Sequence, residues 1–170
     1  METIYFKGTP CHTYGTVPAV GNKAPGFTLV TPELKDISLD DYRGKRVVLN
    51  VFPSLDTPVC AASVRRFNSE AAEMPDTAVL CVSMDLPFAA GRFCEAEGIK
   101  NVTAASAFRS PKFAEQYGLM MVDGPLAGLL ARAVIVIDAD GKIIYRDLVN
   151  EITDEPRYSE ALDVLDVLRK

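Results

Sequence analysis

One stretch constrains the fold more than any other: Val47-Val48-Leu49-Asn50-Val51-Phe52, closed by Pro53 and followed four residues later by Thr57-Pro58. These six residues, mostly apolar and three of them β-branched, read as a buried strand. Pro53 ends it because proline has no N–H to give a sheet ladder. A residue before proline avoids helical angles and proline tolerates the first turn, so Thr57 is expected to cap a helix that Pro58 opens and that runs to about Met74. Between Arg46 and Met74 the chain therefore writes strand, turn and helix. Cys60 becomes the third helical residue, and its sulfur is expected near unpaired backbone N–H groups and the positive end of the helix dipole, which favour thiolate over thiol.

A magnitude limits what the helix alone can do. An ordinary cysteine, with a pKa of about 8.5, is roughly 3% thiolate at neutral pH, and a pKa near ~6 would raise the nucleophile about thirtyfold. That shift is worth about 3.4 kcal/mol, whereas a helix terminus supplies ~0.3–1 kcal/mol and at most about 2. A second source of positive charge is needed, and an arginine is the natural candidate. Arg132 interrupts the run Leu129-Leu130-Ala131 and Ala133-Val134-Ile135, a costly place for a positive charge unless something anionic faces it. Bland readings stand beside these. Cys60, Val64, Phe67, Ala71 and Met74 recur at three and four, so the sulfur could simply begin a core stripe. Arg132 could form a structural salt bridge, and Thr57 need only be a cap.

The rest of the chain alternates. Thr3 to Phe6 and Thr13 to Val17 read as a hairpin around Gly8, Thr9 and Pro10, and Pro18 to Pro25 as a turn-rich connector. Phe27 to Val30 and Ile37 to Leu39 read as short extended pieces. After the central unit come a strand over Thr77 to Met84, a helix over Leu86 to Glu97 stopped by Gly98, a short strand over Val102 to Ala105 and a short helix over Pro111 to Tyr117. Leu130 to Asp138, the turn Ala139-Asp140-Gly141 and Lys142 to Val149 make a hairpin, and Tyr158 to Leu168 a closing amphipathic helix. This order implies a single three-layer α/β domain over residues 1–170, with a mixed sheet, compatible with a thioredoxin-like core, and residues 1–18 as a hairpin extension.

Composition excludes several classes. The chain is 48% hydrophobic and 24% charged, with a formal charge of −5 and scattered basic residues, so nucleic acid and other anionic surfaces are not expected partners. No apolar run is long enough for a bilayer, and the first residues do not read as an export signal, so a soluble, unexported, cytoplasmic protein is expected. Four cysteines without a CxxC pair suggest neither a disulfide scaffold nor a thioredoxin-type dithiol, and one histidine leaves little for a metal. His12 follows Cys11 directly, so their side chains should point to opposite faces of an extended segment. Cys11 itself is expected in an exposed loop. Cys81, within Val79 to Val82, reads as core. Cys94 should sit beside the buried stripe of its helix, where Gly91 costs about 1 kcal/mol relative to alanine and makes local opening cheap.

At this point the residues resemble a family. Pro53, Thr57 and Cys60 reproduce the Pro-x-x-x-Thr-x-x-Cys signature of the peroxiredoxins, and Phe52 through Cys60 is similar to their bacterial thiol peroxidase branch. The likeness continues in Arg92-Phe93-Cys94, in Phe108-Arg109, in Gly124-Pro125-Leu126 and through Ala131-Arg132-Ala133 to Asp138. It implies a thioredoxin fold, a homodimer, and reduction of hydrogen peroxide and organic hydroperoxides without metal or organic cofactor. By that resemblance Cys60 is the peroxidatic cysteine and Cys94 the resolving cysteine of an atypical two-cysteine enzyme. Cys60 becomes a sulfenic acid and then an intramolecular Cys60–Cys94 disulfide, which thioredoxin reduces. Thr57 and Arg132 would hold the thiolate and the peroxide, Pro53 would shield the pocket and Arg109 would support it. Three rivals remain: a redox-responsive binding protein using the same two cysteines, a disulfide-exchange module of thioredoxin type, and a structural domain with inert core thiols.

Overall fold

The computed structural model describes residues 1–169, so Lys170, the last residue of the expected domain, lies outside them. Strand β1 (Thr3–Phe6) and β2 (Thr9–His12) form a hairpin; β3 (Thr28–Val30), β4 (Asp36–Ser38) and β5 (Arg46–Val51) precede helix α1 (Pro58–Ala71). Then follow β6 (Thr77–Ser83), α2 (Pro87–Glu97), β7 (Thr103–Ser106), α3 (Pro111–Gln116), β8 (Ala133–Ile137), β9 (Ile143–Leu148) and α4 (Tyr158–Arg169).

Seven strands form one mixed sheet in the order β4-β3-β7-β6-β5-β8-β9. β5, β6 and β7 run parallel, joined by the crossover helices α1 and α2, while β8 returns antiparallel beside β5 and pairs with β9. Period-2 alternation then divides the core. Val47, Leu49 and Val51 of β5 face a layer containing Phe113 and Tyr117 near α3 and Ile4 of the hairpin. Val48 and Phe52 face the other layer, which holds Cys60, Val64 and Phe67 of α1, Ala90 of α2, and Ala161 and Leu165 of α4. The three-layer, thioredoxin-like α/β fold with an added N-terminal hairpin is thus the one expected.

Several boundaries differ. The second hairpin strand is Thr9–His12, not Thr13 to Val17, because the chain reverses in two residues, Lys7 and Gly8, both with positive φ (51° and 81°). That handedness matches the twist of paired strands, so Thr9 and Pro10 join the ladder opposite Phe6 and Tyr5. Cys11 is consequently buried opposite Ile4 and not in an exposed loop. As alternation requires, His12 points the other way, with Nδ1 2.7 Å from Asp123 Oδ2. β8 begins at Ala133 and not at Leu130, since Met120 bridges Leu130 and Ala131 N–H donates to the Leu119 carbonyl. Arg132 is left just outside the strand. A short 3-10 turn at Leu39–Tyr42 has no counterpart in the expected elements.

Candidate active site

Cys60 enters the site as the register demands. Thr57 is the N-cap in extended geometry (φ −111°, ψ 146°), Pro58 occupies the first helical position and Cys60 the third. The sulfur lies at the sheet's C-terminal edge, where α1 leaves β5, and Cys60 is wholly buried (0% exposed). Burial alone fits an inert core thiol.

Arg132 distinguishes it. This arginine is 2% exposed, and its Nη2 donates to Cys60 Sγ at 3.2 Å while Nε donates to the Ile152 carbonyl at 2.8 Å. Its third nitrogen, Nη1, is buried without a hydrogen-bond partner. A buried guanidinium is costly unless charge or hydrogen bonds compensate it, and a carbonyl carries no net charge. Of the two groups that receive its hydrogen bonds, the sulfur is the one able to ionise. Among the described residues Arg132 makes no salt bridge with a carboxylate. Arg132 also reaches this position because it stands one residue before β8, the antiparallel neighbour of β5.

Thr57 caps by position but not by its side chain. Its hydroxyl donates to the Ser54 carbonyl at 3.0 Å and no side-chain cap bond reaches the helix. The Val59 and Cys60 N–H groups, the donors of the first turn since Pro58 has none, are therefore not capped by the Thr57 side chain. Pro53 is buried where β5 ends.

The loop before Cys60 is pinned by a residue that nothing local in the sequence singles out. Asp85 is half-buried and accepts from the Ser54 hydroxyl at 2.8 Å, the Leu55 N–H at 2.8 Å and the Ser83 hydroxyl at 2.7 Å. Its own N–H donates to Ser83 Oγ at 3.2 Å and its carbonyl accepts from Ser106 Oγ. A second buried link ties β5 to α1: Asn50 Nδ2 donates to Ser63 Oγ at 3.2 Å, and Ser63 Oγ donates to the Cys60 carbonyl at 2.8 Å. Asn50 Nδ2 also lies 3.7 Å from Cys81 Sγ. The polar Asn50 in an otherwise apolar strand was the one visible hint of this link.

Cys94 lies in the last turn of α2, half-buried against the apolar layer that contains Cys60. All four cysteines are free thiols. Burial pushes the Cys94 thiol up and the charge of Glu33 adds to this; burial raises Cys81 further, to about 12, partly offset by the Asn50 bond. Arg109 is placed elsewhere: its Nη2 pairs with Asp36 of β4 at 3.0 Å and its guanidinium lies over the Phe108 ring, on the exposed surface.

Comparison with known proteins shows the family. Residues 19–162 match the Redoxin family, and the chain belongs to it. Thiol peroxidases of Mycobacterium tuberculosis and Mycobacterium bovis are each 56% identical to it over 165 residues, covering 97% of this chain and 99% of theirs. The crystal structure of a peroxiredoxin-like protein from Aquifex aeolicus superposes with a TM-score of 0.94 at 43% identity, covering 99% of this chain and 98% of that one. A thiol peroxidase from Chromobacterium violaceum, 20% identical, shares the fold at a TM-score of 0.88. Within the Redoxin family the chain falls among the thiol peroxidases, enzymes of peroxiredoxin type whose activity is thiol-dependent peroxide reduction.

Proposed function

We propose that Cys60 is the peroxidatic sulfur and that Arg132 organises both it and the peroxide. The observation carrying this reading is the 3.2 Å contact between a buried guanidinium and a buried sulfur, with Nη1 unpartnered beside it. The Cys60 thiolate attacks the terminal oxygen of ROOH; an S–O bond forms, the O–O bond breaks, and the departing RO⁻ takes up a proton. Arg132 and the uncapped first turn of α1 stabilise charge on the oxygens as it develops. Thr57, held by Ser54, shapes the pocket wall that Pro53 closes. Arg109 supports the site only indirectly, through the Asp36 pair that ties the loop after β7 to β4.

Cys94 then condenses with the Cys60 sulfenic acid, forming the intramolecular disulfide and releasing water. A dithiol protein, which we take to be thioredoxin, reduces the disulfide by thiol exchange. Four cysteines without a CxxC pair are too few for the disulfide scaffold of an exported protein, which supports a cytoplasmic site of action; no helix among the described residues is long and apolar enough to cross a membrane. We further propose that residues 1–170 fold as one unit, because Ile4 and Cys11 of the hairpin belong to the same core as the sheet, and that the unit works as a homodimer.

Stopped-flow peroxide consumption with a thioredoxin system tests the assignment. Cys60→Ser is expected to abolish turnover, whereas Cys94→Ser should permit one oxidation per chain and then stall. Undiminished activity in Cys60→Ser would remove the assignment, and multiple turnover in Cys94→Ser would remove the resolving role.

A further inference from the structure

We propose that Asp85 is a positioning residue: a carboxylate latch that holds the peroxide-pocket loop in its reactive form and must release for the disulfide to form. This rests on the reading of Cys60 and Cys94 given above. Asp85 stands between β6 and α2, two residues before the helix that carries Cys94. Its side chain nevertheless reaches across to the loop that carries Cys60. Oδ1 takes the Ser54 hydroxyl, and Oδ2 takes the Leu55 N–H and the Ser83 hydroxyl.

The latch is rigid on its own side. The Asp85 backbone is tied to Ser83 through its N–H and to Ser106 of β7 through its carbonyl, so the carboxylate is presented from two neighbouring parallel strands. The held side is the loop itself. Ser54 Oγ accepts from the Asp56 N–H at 3.2 Å and the Ser54 carbonyl takes the Thr57 hydroxyl at 3.0 Å, so fixing Ser54 also fixes the residue that opens α1. Charge-assisted bonds of this kind are stronger than neutral ones.

Two demands on the loop conflict. Attack on peroxide needs Cys60 fixed beside Arg132, with Ser54 to Thr57 in place. Cys60 and Cys94 are separate free thiols, Cys60 wholly buried in the first turn of α1 and Cys94 half-buried in the last turn of α2, so a bond between them must draw two unbonded sulfurs on different helices to about 2 Å, and in the proposed latch the first turn of α1 is what moves. Moving the first turn of α1 strains or breaks the bonds from Ser54 and Leu55 to Asp85. The latch therefore favours the first step and opposes the second. It sets how long the sulfenic acid persists, and so how often a second peroxide converts it to the sulfinic acid before Cys94 arrives.

The test uses full-length wild type, Asp85→Asn and Ser54→Ala, each reduced and then mixed with hydrogen peroxide. Rapid quench gives the two rate constants, and intact mass gives the ratio of disulfide to sulfinate. Asp85→Asn is expected to slow the peroxide step about tenfold, the effect of losing one charge-assisted hydrogen bond, while speeding disulfide formation. Less sulfinate should then form at a given peroxide concentration. Ser54→Ala, which removes a single bond and keeps the carboxylate, should shift both rates in the same directions by less. Opposite movement of the two rates is what general damage to the fold does not produce. Both rates falling together in both variants, or neither changing by twofold, would overturn the latch. Wild type that yields no Cys60–Cys94 disulfide would instead overturn the reading beneath it.

Discussion

The Arg132–Cys60 contact sets stability against reactivity at the level of single side chains. Nη1 is buried without a partner, so the guanidinium is not fully compensated in the resting protein. Removing one partner of a buried ion pair is costly only if the other stays charged; without the guanidinium the Cys60 sulfur can remain a neutral thiol, and Arg132→Met keeps much of the volume. The expected result is a urea midpoint equal to or above wild type, with kcat/KM for peroxide lower by about 10²–10³, as when one transition-state donor is removed. A variant equally active, or one both inactive and strongly destabilised, would contradict this balance. Residue types announced part of the site and concealed part. A charge inside the apolar run of residues 129–135 was visible, and so was a cysteine at the third position after Thr57-Pro58. Asp85 was not, because its partners Ser54 and Leu55 lie 31 and 30 positions away and only the parallel pairing of β5 with β6 brings them together.

Helices and strands carry the mobility that the chemistry needs. Gly91 lies within α2, one turn before Cys94, and a Cβ there would meet Pro32 Cβ at 3.4 Å, an ordinary contact. Gly91→Ala should therefore stabilise α2 by up to about 1 kcal/mol. If α2 opens to deliver Cys94, the same substitution slows disulfide formation by up to about fivefold and leaves the peroxide step unchanged. Rapid-quench measurement of the two steps decides this, and an unaltered disulfide rate would show that α1 alone moves. Element types were readable because their punctuation is chemical: Pro58, Pro87 and Pro111 each open a helix, and Gly98, at φ 65°, closes α2. The N-terminal hairpin was misplaced because Lys7 adopts a left-handed conformation unusual for its type, and because Pro10 joins a two-stranded ladder in which each strand has a free edge.

Across the whole molecule, burial holds two of the core sulfurs, Cys81 and Cys11, as neutral thiols. Cys81 is raised to about 12 chiefly by burial, and Tyr145 to about 12 by burial and by the charge of Asp147. A folded-state pKa above the unfolded one means that the unfolded chain ionises first. The stabilisation is fully present below pH 9 and is lost as pH rises from 9 toward 12. Urea unfolding across that window should show stability falling, with Cys81→Ala losing less than wild type; a flat profile would contradict the burial of Cys81. At neutral pH Cys81 and Cys11 are expected to stay unmodified, which makes the division of labour among the four sulfurs directly measurable. The decisive observation is peptide mapping of the reduced protein after one equivalent of hydrogen peroxide. Cys60 and Cys94 should be recovered joined in one disulfide, with Cys11 and Cys81 still thiols. Peroxide consumed while Cys60 remains a thiol would contradict the assignment of the Arg132-bound sulfur as the reactive one.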